Sequence, residues 1–422
     1  MSSLLSQERG RLRRVIQLMS GTVVAQFIPV AAAPVLTRLF TPADLGVLTL
    51  YVSLSTVLAQ IAAGRYELAL GLPRRTRQAA GLLHLCVAII LSFAVLLALA
   101  IGLGDNWFAD LLGGLQWRTY LPWLPLSLAL TGLYQTANYW LNRNTRFGAM
   151  ARVNVVRTAT TTVSSVLAGV AGIGAIGLIC STLIGYAAGT LTAAAAMLKG
   201  FRGVGRFTPL LRMRALAIRY KSFPLVSAPG ALADVIAVQL PAIIIAHTYE
   251  PSTVGYFGLT LRVVGIPSVL LGYAMGQVYY QSVASVAAQG RPVSGMIGRA
   301  VRILMLSAAV PYALLLIFGG PLFAFVFGHD WWQAGLFASI LAPAFWLRFV
   351  ASSLSLTLPA LDRNDLAMFL QVCYLFTTAI VLGIASQFSI HAFMYAYSIQ
   401  LFIICAVYLA LILYASSRQH DT

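Results

Sequence analysis

The chain has 422 residues, of which 59% are hydrophobic and only 9% are charged. Soluble globular domains carry about 25% charged residues, so this composition excludes an ordinary soluble protein. The net charge of +17 would suggest nucleic acid in a soluble chain. In a membrane protein it indicates basic cytoplasmic loops, and no nucleic-acid partner is expected.

Apolar segments long enough to cross a bilayer recur along the whole sequence. They are continuous rather than alternating, which favours helices over a closed β-barrel. The sequence therefore predicts an all-α polytopic membrane protein with about twelve transmembrane helices. The predicted spans are 15–36, 44–63, 79–103, 119–140, 151–170, 174–197, 222–247, 255–280, 301–327, 334–358, 366–388 and 390–414.

The basic residues predict the orientation of these spans. With both termini in the cytoplasm, 24 of the 28 Lys and Arg residues lie in cytoplasmic loops or at the adjoining helix ends. This is the distribution that the positive-inside rule describes. An even number of spans with cytoplasmic termini follows.

Two similar segments suggest that the chain has two like-built halves. LTRLFTPADLG (Leu36–Gly46) and AHTYEPSTVG (Ala246–Gly255) each end one apolar run and begin the next, and Pro42 and Pro251 are 209 residues apart. Transporters are often built from such repeats. We therefore expect two pseudo-symmetric six-helix lobes around a central cavity.

The segment between the halves contains LLRMRALAIRYK, in which leucines alternate with arginines. It predicts a basic amphipathic helix on the inner leaflet. The predicted domains are an N-terminal lobe (1–198), a cytoplasmic amphipathic linker (199–221) and a C-terminal lobe (222–422).

Local signals place a helix start at each repeated segment. Thr41 is a candidate N-cap, Pro42 suits the first helical position, and Asp44 is favourable in the first turn. The second copy has Glu250 and Thr253 at the corresponding positions, so its cap should be less well formed.

Three of the charged residues inside predicted spans are the most informative, because a charge costs about 2.5–3.5 kcal/mol at the helix centre. They are Asp234, Arg262 and Arg348. In one interpretation the two arginines line a polar cavity and bind an anionic group, because a guanidinium binds phosphate oxygens bidentately. Asp234 would then be their partner or a proton carrier. In the other, a buried Asp–Arg pair joins two helices.

Other polar residues are secondary candidates. Arg38 either snorkels to the interface or belongs to the cavity, and Gln239 and Gln277 either line the cavity or bond neighbouring helices. Arg65 and Glu67 in GRYELAL can bind each other, lipid or substrate. Gly185-x-x-x-Gly189 and Gly272-x-x-x-Gly276 predict close-packing helix faces.

Catalytic and nucleotide-binding patterns are missing from the sequence. The five histidines are scattered, the four cysteines lie in apolar runs without metal-ligand spacing, and no phosphate-loop motif occurs. We expect neither an enzyme nor a bound metal.

Several motifs carry a resemblance to a known family. They are LTRLFTPADLGVLTLY, GRYELAL, RYKSFP (Arg219–Pro224), Gln239-Leu240-Pro241, Gly255-Tyr256 and LRVVGIPSVLLGYAMGQVYYQ (Leu261–Gln281). The chain resembles bacterial polysaccharide and O-antigen flippases, the Wzx-like, lipopolysaccharide-biosynthesis branch of the multidrug/oligosaccharidyl-lipid/polysaccharide (MOP) exporter superfamily. The resemblance spans most of residues 15–300.

This resemblance implies a function and its partners. The substrate would be an undecaprenyl-diphosphate-linked oligosaccharide, an O-antigen or exopolysaccharide repeat unit, moved from the cytoplasmic to the periplasmic leaflet of the bacterial inner membrane. Transport would proceed by alternating access driven by an H⁺ or Na⁺ gradient, without a bound cofactor. Partners would be this polyprenyl-diphosphate-linked glycan, membrane lipids, and a glycan polymerase with its chain-length regulator.

The resemblance also bears on individual residues. Arg262 falls where the family pattern has Arg, within a cationic cavity that receives the diphosphate. Asp234 departs from the pattern, which usually has an amide there. Twelve spans rather than fourteen argue against the lipid II flippase branch.

Three alternatives remain open. A drug/cation antiporter of the same superfamily should have a carboxylate-rich cavity, whereas this chain has one mid-span carboxylate and two mid-span arginines. A membrane-embedded glycan polymerase or ligase should have a large periplasmic loop, whereas the longest predicted outer loop is 104–118. A non-transporting subunit of a glycan-assembly complex is the third.

Overall fold

The computed structural model describes residues 21, 23–111, 114–198, 208–268, 294–355, 357 and 364–417. Within these ranges the chain forms α-helices joined by short turns, and no strand occurs. The helices are α1 (Val23–Leu39), α2 (Pro42–Ile61), α3 (Tyr66–Ala69), α4 (Thr76–Leu111), α5 (Leu124–Arg143), α6 (Phe147–Val170), α7 (Ala175–Leu198), α8 (Leu210–Arg219), α9 (Ala228–Thr248), α10 (Pro251–Val264), α11 (Ser294–Phe327), α12 (Trp332–Ser353), α13 (Asn364–Ala385) and α14 (Ile390–Ser417).

A helix lies at the position of each predicted span, and α3 and α8 are additional short helices. In the described part of the chain, eight helices are long and apolar enough to cross a membrane. The polytopic all-α fold is confirmed.

One predicted span differs from the structure. The span predicted over 255–280 begins earlier, at Pro251, and its first helix ends at Val264. Gly265 follows in a turn, and Ile266 and Pro267 are helical again, so the break is local to Gly265. The remainder of that prediction, from residue 269, lies outside the described residues.

The predicted cap of α2 is present as a capping box. The Asp44 backbone N–H donates to Thr41 Oγ1 at 3.2 Å, and the Thr41 N–H donates to Asp44 Oδ2 at 3.1 Å. At α10, Glu250 occupies the N-cap position and makes no side-chain cap bond. The weaker second cap is thus also confirmed.

The chain divides into two compact units, Met1–Val235 and Ile236–Thr422, with the boundary inside α9. In the first unit, α4 and α5 pack together and enclose the short helix α3. The core there is apolar and nearly closed to solvent, with Leu82, Cys86, Ile90 and Trp140 at most 1% exposed.

The amphipathic helix α8 packs on this core with one face. Met213 and Leu216 are buried against the α3–α4 region, whereas Leu210 and Leu211 are 79% and 81% exposed. The Tyr66 hydroxyl donates to the Ala217 carbonyl at 3.1 Å, which ties α8 to α3. The location of α8 on the inner leaflet stays a prediction.

Helices α6 and α7 pack closely through small residues. A Cβ at Gly185 would meet Thr161 Oγ1, and it would lie 2.9 Å from the Arg157 carbonyl oxygen. A Cβ at Gly189 would lie 3.1 Å from both Arg157 Cβ and the Tyr134 ring. The predicted packing role of this glycine pair is confirmed; the pair at Gly272 and Gly276 lies outside the described residues.

In the second unit, α12 contacts α10, α11 and α14. The Thr260 hydroxyl of α10, fully buried, donates to the Ala334 carbonyl at 2.7 Å. The Trp346 indole of α12 donates to the Met305 carbonyl at 3.0 Å. Polar side chains thus join these helices through backbone acceptors.

The contact at Gly185 predicts a stability loss on substitution. Gly185→Ala forces α6 and α7 apart, and overpacking of this kind costs about 1–3 kcal/mol. We expect a lower apparent Tm in detergent. The Tm is measured by size-exclusion chromatography of samples heated to increasing temperatures. Gly102→Ala is the matched control, because a Cβ there meets nothing within 4 Å. Equal Tm values for the two variants would contradict the packing role.

Candidate functional site

Arg262 is a charged residue deep in an apolar helix. It lies eleven residues after Pro251, roughly 17 Å along α10 at 1.5 Å per residue. Its neighbours Thr260 and Val264 are buried, but Arg262 is exposed. Among the described residues its guanidinium has no hydrogen-bond or ion-pair partner. It is therefore available to an anionic ligand.

The end of α10 is held by a tyrosine from α11. The Tyr312 hydroxyl, in a side chain only 1% exposed, donates to the Val264 carbonyl at 2.9 Å. The last carbonyls of a helix lack intrahelical donors, so this bond satisfies one of them. Arg262 lies in the same last turn, where the helix dipole favours a positive charge.

Arg348 lies in the same unit, on α12. Its guanidinium is half-buried and sits 5.3 Å from the centre of the Phe345 ring. It also interacts electrostatically with Tyr312, Tyr397 and Cys405. Tyr312 thus bonds to the last turn of α10 and lies within electrostatic range of Arg348.

The other predicted site residues lie on α9 and at the end of α1, or outside the described residues. Asp234 and Gln239 are half-buried on α9, and Asp234 interacts with at least one neighbouring group. Arg38 is exposed in the last turn of α1, where it can snorkel. Gln277 lies outside the described residues. Whether these residues bind substrate stays a prediction.

The side-chain amide of Gln60 bonds to a neighbouring helix, which is one of the two roles expected for amides inside spans. The Gln60 amide of α2 donates to the Ala231 carbonyl of α9 at 3.3 Å. This bond satisfies a polar group that would otherwise be costly in hydrocarbon.

Arg157 belongs to a cluster of side chains that the sequence analysis did not predict. It lies ten residues beyond Phe147, about 15 Å along α6. Its guanidinium sits 5.3 Å from the Tyr134 ring centre and 5.1 Å from that of Tyr186. The Tyr134 hydroxyl donates to Asn154. The tyrosines come from α5 and α7, so no local pattern reveals the cluster; the Asn154–Arg157 spacing is its one signal in the sequence.

Arg65 and Glu67 form a pair at the turn before α3. Arg65 Nη1 lies 3.9 Å from Glu67 Oε1, and Glu67 is only 4% exposed. Burial raises the pKa of the Glu67 carboxyl, and a backbone hydrogen bond and the Arg65 charge oppose this rise. Of the three roles expected for these residues, the structure supports mutual pairing.

A cavity of about 490 Å³ lies in the second unit, beside α12 and α14. Its lining is largely apolar, and its serines are already bonded: Ser339 donates to the Leu315 carbonyl and Ser398 to the Ile340 carbonyl. None of the predicted site residues lines it.

A family model described as "Polysaccharide biosynthesis protein" matches residues 35–335. No curated protein matches the chain. Among solved structures, the lipid II flippase MurJ in an inward closed conformation is similar at TM-score 0.74, with 13% identity over 97% of this chain and 91% of that one.

Two multidrug transporters are similar as well. An inward-facing MATE family transporter of the MOP superfamily matches at TM-score 0.67, with 13% identity over 96% of this chain and 95% of that one. The MATE multidrug transporter DinF-BH matches at TM-score 0.64, with 19% identity over 94% of this chain and 93% of that one. These likenesses show that the chain has the two-lobe helical fold of MOP transporters and flippases.

The Arg157 cluster predicts a difference between two arginines of one helix. Arg157→Gln removes two cation–π contacts, each about 0.5–2 kcal/mol, and should lower the apparent Tm in detergent. Arg152→Gln is the control, because Arg152 is exposed on the same helix. A Tm loss as large at Arg152 as at Arg157 would show that the tyrosine stacking contributes nothing.

Proposed function

The chain belongs to the polysaccharide biosynthesis protein family, and from this premise we propose that it flips a polyprenyl-diphosphate-linked oligosaccharide across the bacterial inner membrane. The glycan would pass from the cytoplasmic to the periplasmic leaflet while its lipid tail stays in the bilayer. The single observation that carries this proposal is Arg262, an exposed cation deep in an apolar helix.

The chemistry of the substrate explains the need for such a cation. Sugar hydroxyls and a diphosphate cannot leave water for hydrocarbon without compensating partners. A polyprenyl tail has no such requirement. The protein therefore has to supply hydrogen bonds for the sugars and positive charge for the diphosphate.

Arg262 fits the diphosphate better than another role would. Its guanidinium offers a planar fork of donors for two phosphate oxygens and stays charged at any relevant pH. An arginine within an apolar helix is costly, and among the described residues Arg262 has no partner, which supports a ligand at this position. Arg348, within electrostatic range of Tyr312, would add a second positive charge.

Energy for transport would come from an H⁺ or Na⁺ gradient, since the sequence carries no nucleotide-binding motif. Alternating access between the predicted lobes (1–198 and 222–422), joined by the linker 199–221, would expose the glycan to one side at a time. Asp234 is a candidate ion carrier, or else the partner of an arginine. A glycan polymerase and a chain-length regulator would receive the product.

A drug/cation antiporter is the second candidate, because multidrug transporters share the fold. Structures at such low identity show the fold alone. The charges inside the spans therefore have to distinguish a cationic drug from an anionic substrate. A cationic drug requires carboxylates, whereas the mid-span charges predicted for this chain are two arginines, Arg262 and Arg348, against one carboxylate, Asp234. This balance favours an anionic substrate.

The proposal predicts a specific loss at Arg262. In a strain lacking the wild-type gene, Arg262→Ala should reduce surface-glycan display about 10- to 100-fold, since a charge-assisted hydrogen bond contributes roughly 1.5–3 kcal/mol. Arg262→Lys should retain part of the activity because it keeps the charge but loses the fork. Glycan is measured on blots at equal protein abundance in the membrane.

The control is Arg299→Ala, because Arg299 is an exposed arginine near the start of α11. It should display glycan as the wild type does. Wild-type display by Arg262→Ala at equal abundance would remove Arg262 from the site. Drug sensitivity of the deletion strain without a glycan defect would favour the antiporter.

A further inference from the structure

We propose that Glu67 is a proton-binding site of the transport cycle, at which Arg65 and a proton alternate as the partner of one buried carboxylate. The inference rests on the proposed function only in the claim that proton binding drives glycan transport. Proton binding itself can be measured without a glycan.

The geometry at Glu67 leaves one oxygen without a partner. Oε1 faces Arg65 Nη1 at 3.9 Å, which is longer than a good hydrogen bond. Oε2 is buried, and no residue in the described part of the chain bonds to it. A buried carboxylate oxygen in this state is satisfied either by a donor that moves in or by a proton.

Apart from a few polar groups, the described surroundings of Glu67 are apolar. Helix α3 packs against α4, α5 and the short π-helix Phe223–Ser227. The neighbouring core consists of alanine, leucine and aromatic side chains, with Ala69 and Leu70 fully buried. Such an environment disfavours a charged carboxylate, in agreement with the raised pKa of Glu67.

Few titratable or charged groups face Glu67. From its own turn comes Arg65; from α4, Cys86; and from α5, Tyr139. Arg143 of α5 lies nearby but is engaged, since its guanidinium donates to the Leu70 and Pro73 carbonyls at 2.8 and 2.6 Å. The π-helix Phe223–Ser227 carries no titratable side chain. Arg65 is therefore the one cation facing Glu67 that is not bound to backbone acceptors among the described residues.

Arg65 is also held in an unusual backbone conformation. Its φ is +62°, in the left-handed region where a non-glycine residue is strained. The turn is fastened on both sides, by the Tyr66 bond to Ala217 and by Arg143. Its guanidinium Nε is buried without a partner among the described residues. A weakly held arginine beside an anion can leave it for a stronger acceptor, such as a phosphate.

The exchange balances in charge and atoms. When Arg65 turns to an anionic acceptor, Glu67 takes one proton from water and forms an O–H bond at Oε2. When Arg65 returns, the same proton is released to water. A metal ion such as Na⁺ fits poorly, because hard cations take about six oxygen ligands. Among the described residues no group of three His, Cys, Asp or Glu side chains exists.

The direct test is infrared difference spectroscopy of the full-length protein in liposomes, without glycan, as pH is varied. The wild type should show the carbonyl stretch of a protonated carboxylic acid appearing with a midpoint above 4.5, the ordinary pKa of glutamate. Glu67→Gln should lose this band. Glu250→Gln, which changes an exposed glutamate, should keep it. A band unchanged in Glu67→Gln would overturn the proposal, as would a band that responds to Na⁺ at fixed pH.

Two further variants test the exchange. Arg65→Gln should move the midpoint upward by about one pH unit, because the lost cation favoured the charged carboxylate. Arg65→Lys should largely preserve the wild-type midpoint. A midpoint that does not move in Arg65→Gln overturns the pairing.

Glycan display separates this proposal from the function itself. Glu67→Gln should reduce display with the protein still folded, as judged by size-exclusion chromatography, and Glu67→Asp should restore part of it. Normal display in Glu67→Gln, with Arg262→Ala defective, overturns the coupling role and leaves the flippase function standing. Titration of Glu67 together with normal display in both variants supports the proton site, overturns its coupling to glycan transport and removes Arg262 from the substrate site. A deletion strain with no glycan defect would overturn the flippase function and leave the proton site standing.

Discussion

An unbonded backbone carbonyl or amide in hydrocarbon costs several kcal/mol, and the architecture of this chain follows from avoiding that cost. Within a helix the backbone amides and carbonyls bond to each other, so unbonded polar groups are concentrated at helix ends and on polar side chains. The structure solves it with single donors from neighbouring helices. Tyr312 satisfies Val264 at the end of α10, and Gln60 binds the Ala231 carbonyl. These bonds also fix which helices are neighbours.

The same constraint appears at equivalent positions of the two halves. Tyr51 lies nine residues into the helix that begins at Pro42, and its hydroxyl donates to the Trp123 carbonyl at the start of α5. Thr260 lies nine residues after Pro251 and donates to the Ala334 carbonyl at the start of α12. Tyr51 and Thr260 are 209 residues apart, the same separation as the two prolines. Each unit thus joins its first proline-started helix to a later one by a similar bond.

Sequence reasoning succeeded where the cause is local and failed where it is not. Span positions follow from apolar length, and the Thr41–Asp44 cap follows from residues three apart. The burial of Glu67 and the stacking of Arg157 depend on helices far apart in sequence, so composition gave no access to them. Even the end of α10 was missed, because a hydrophobic window averages over Gly265. The charges inside the fold were visible, but their partners were not.

The repeat makes the remaining asymmetry informative. At the position that the 209-residue shift makes equivalent to Arg262, the first unit has Ser53, a buried residue only 4% exposed. A serine there can be satisfied within a helix, whereas an exposed arginine in a span requires a partner. The scaffold is therefore duplicated but the charge is not. In the first unit the buried charges are instead placed at Arg157, between two tyrosines, and at Glu67, beside one arginine. Under the two proposals, this difference in charged residues would give each half a distinct task, anion binding in the second unit and proton binding in the first.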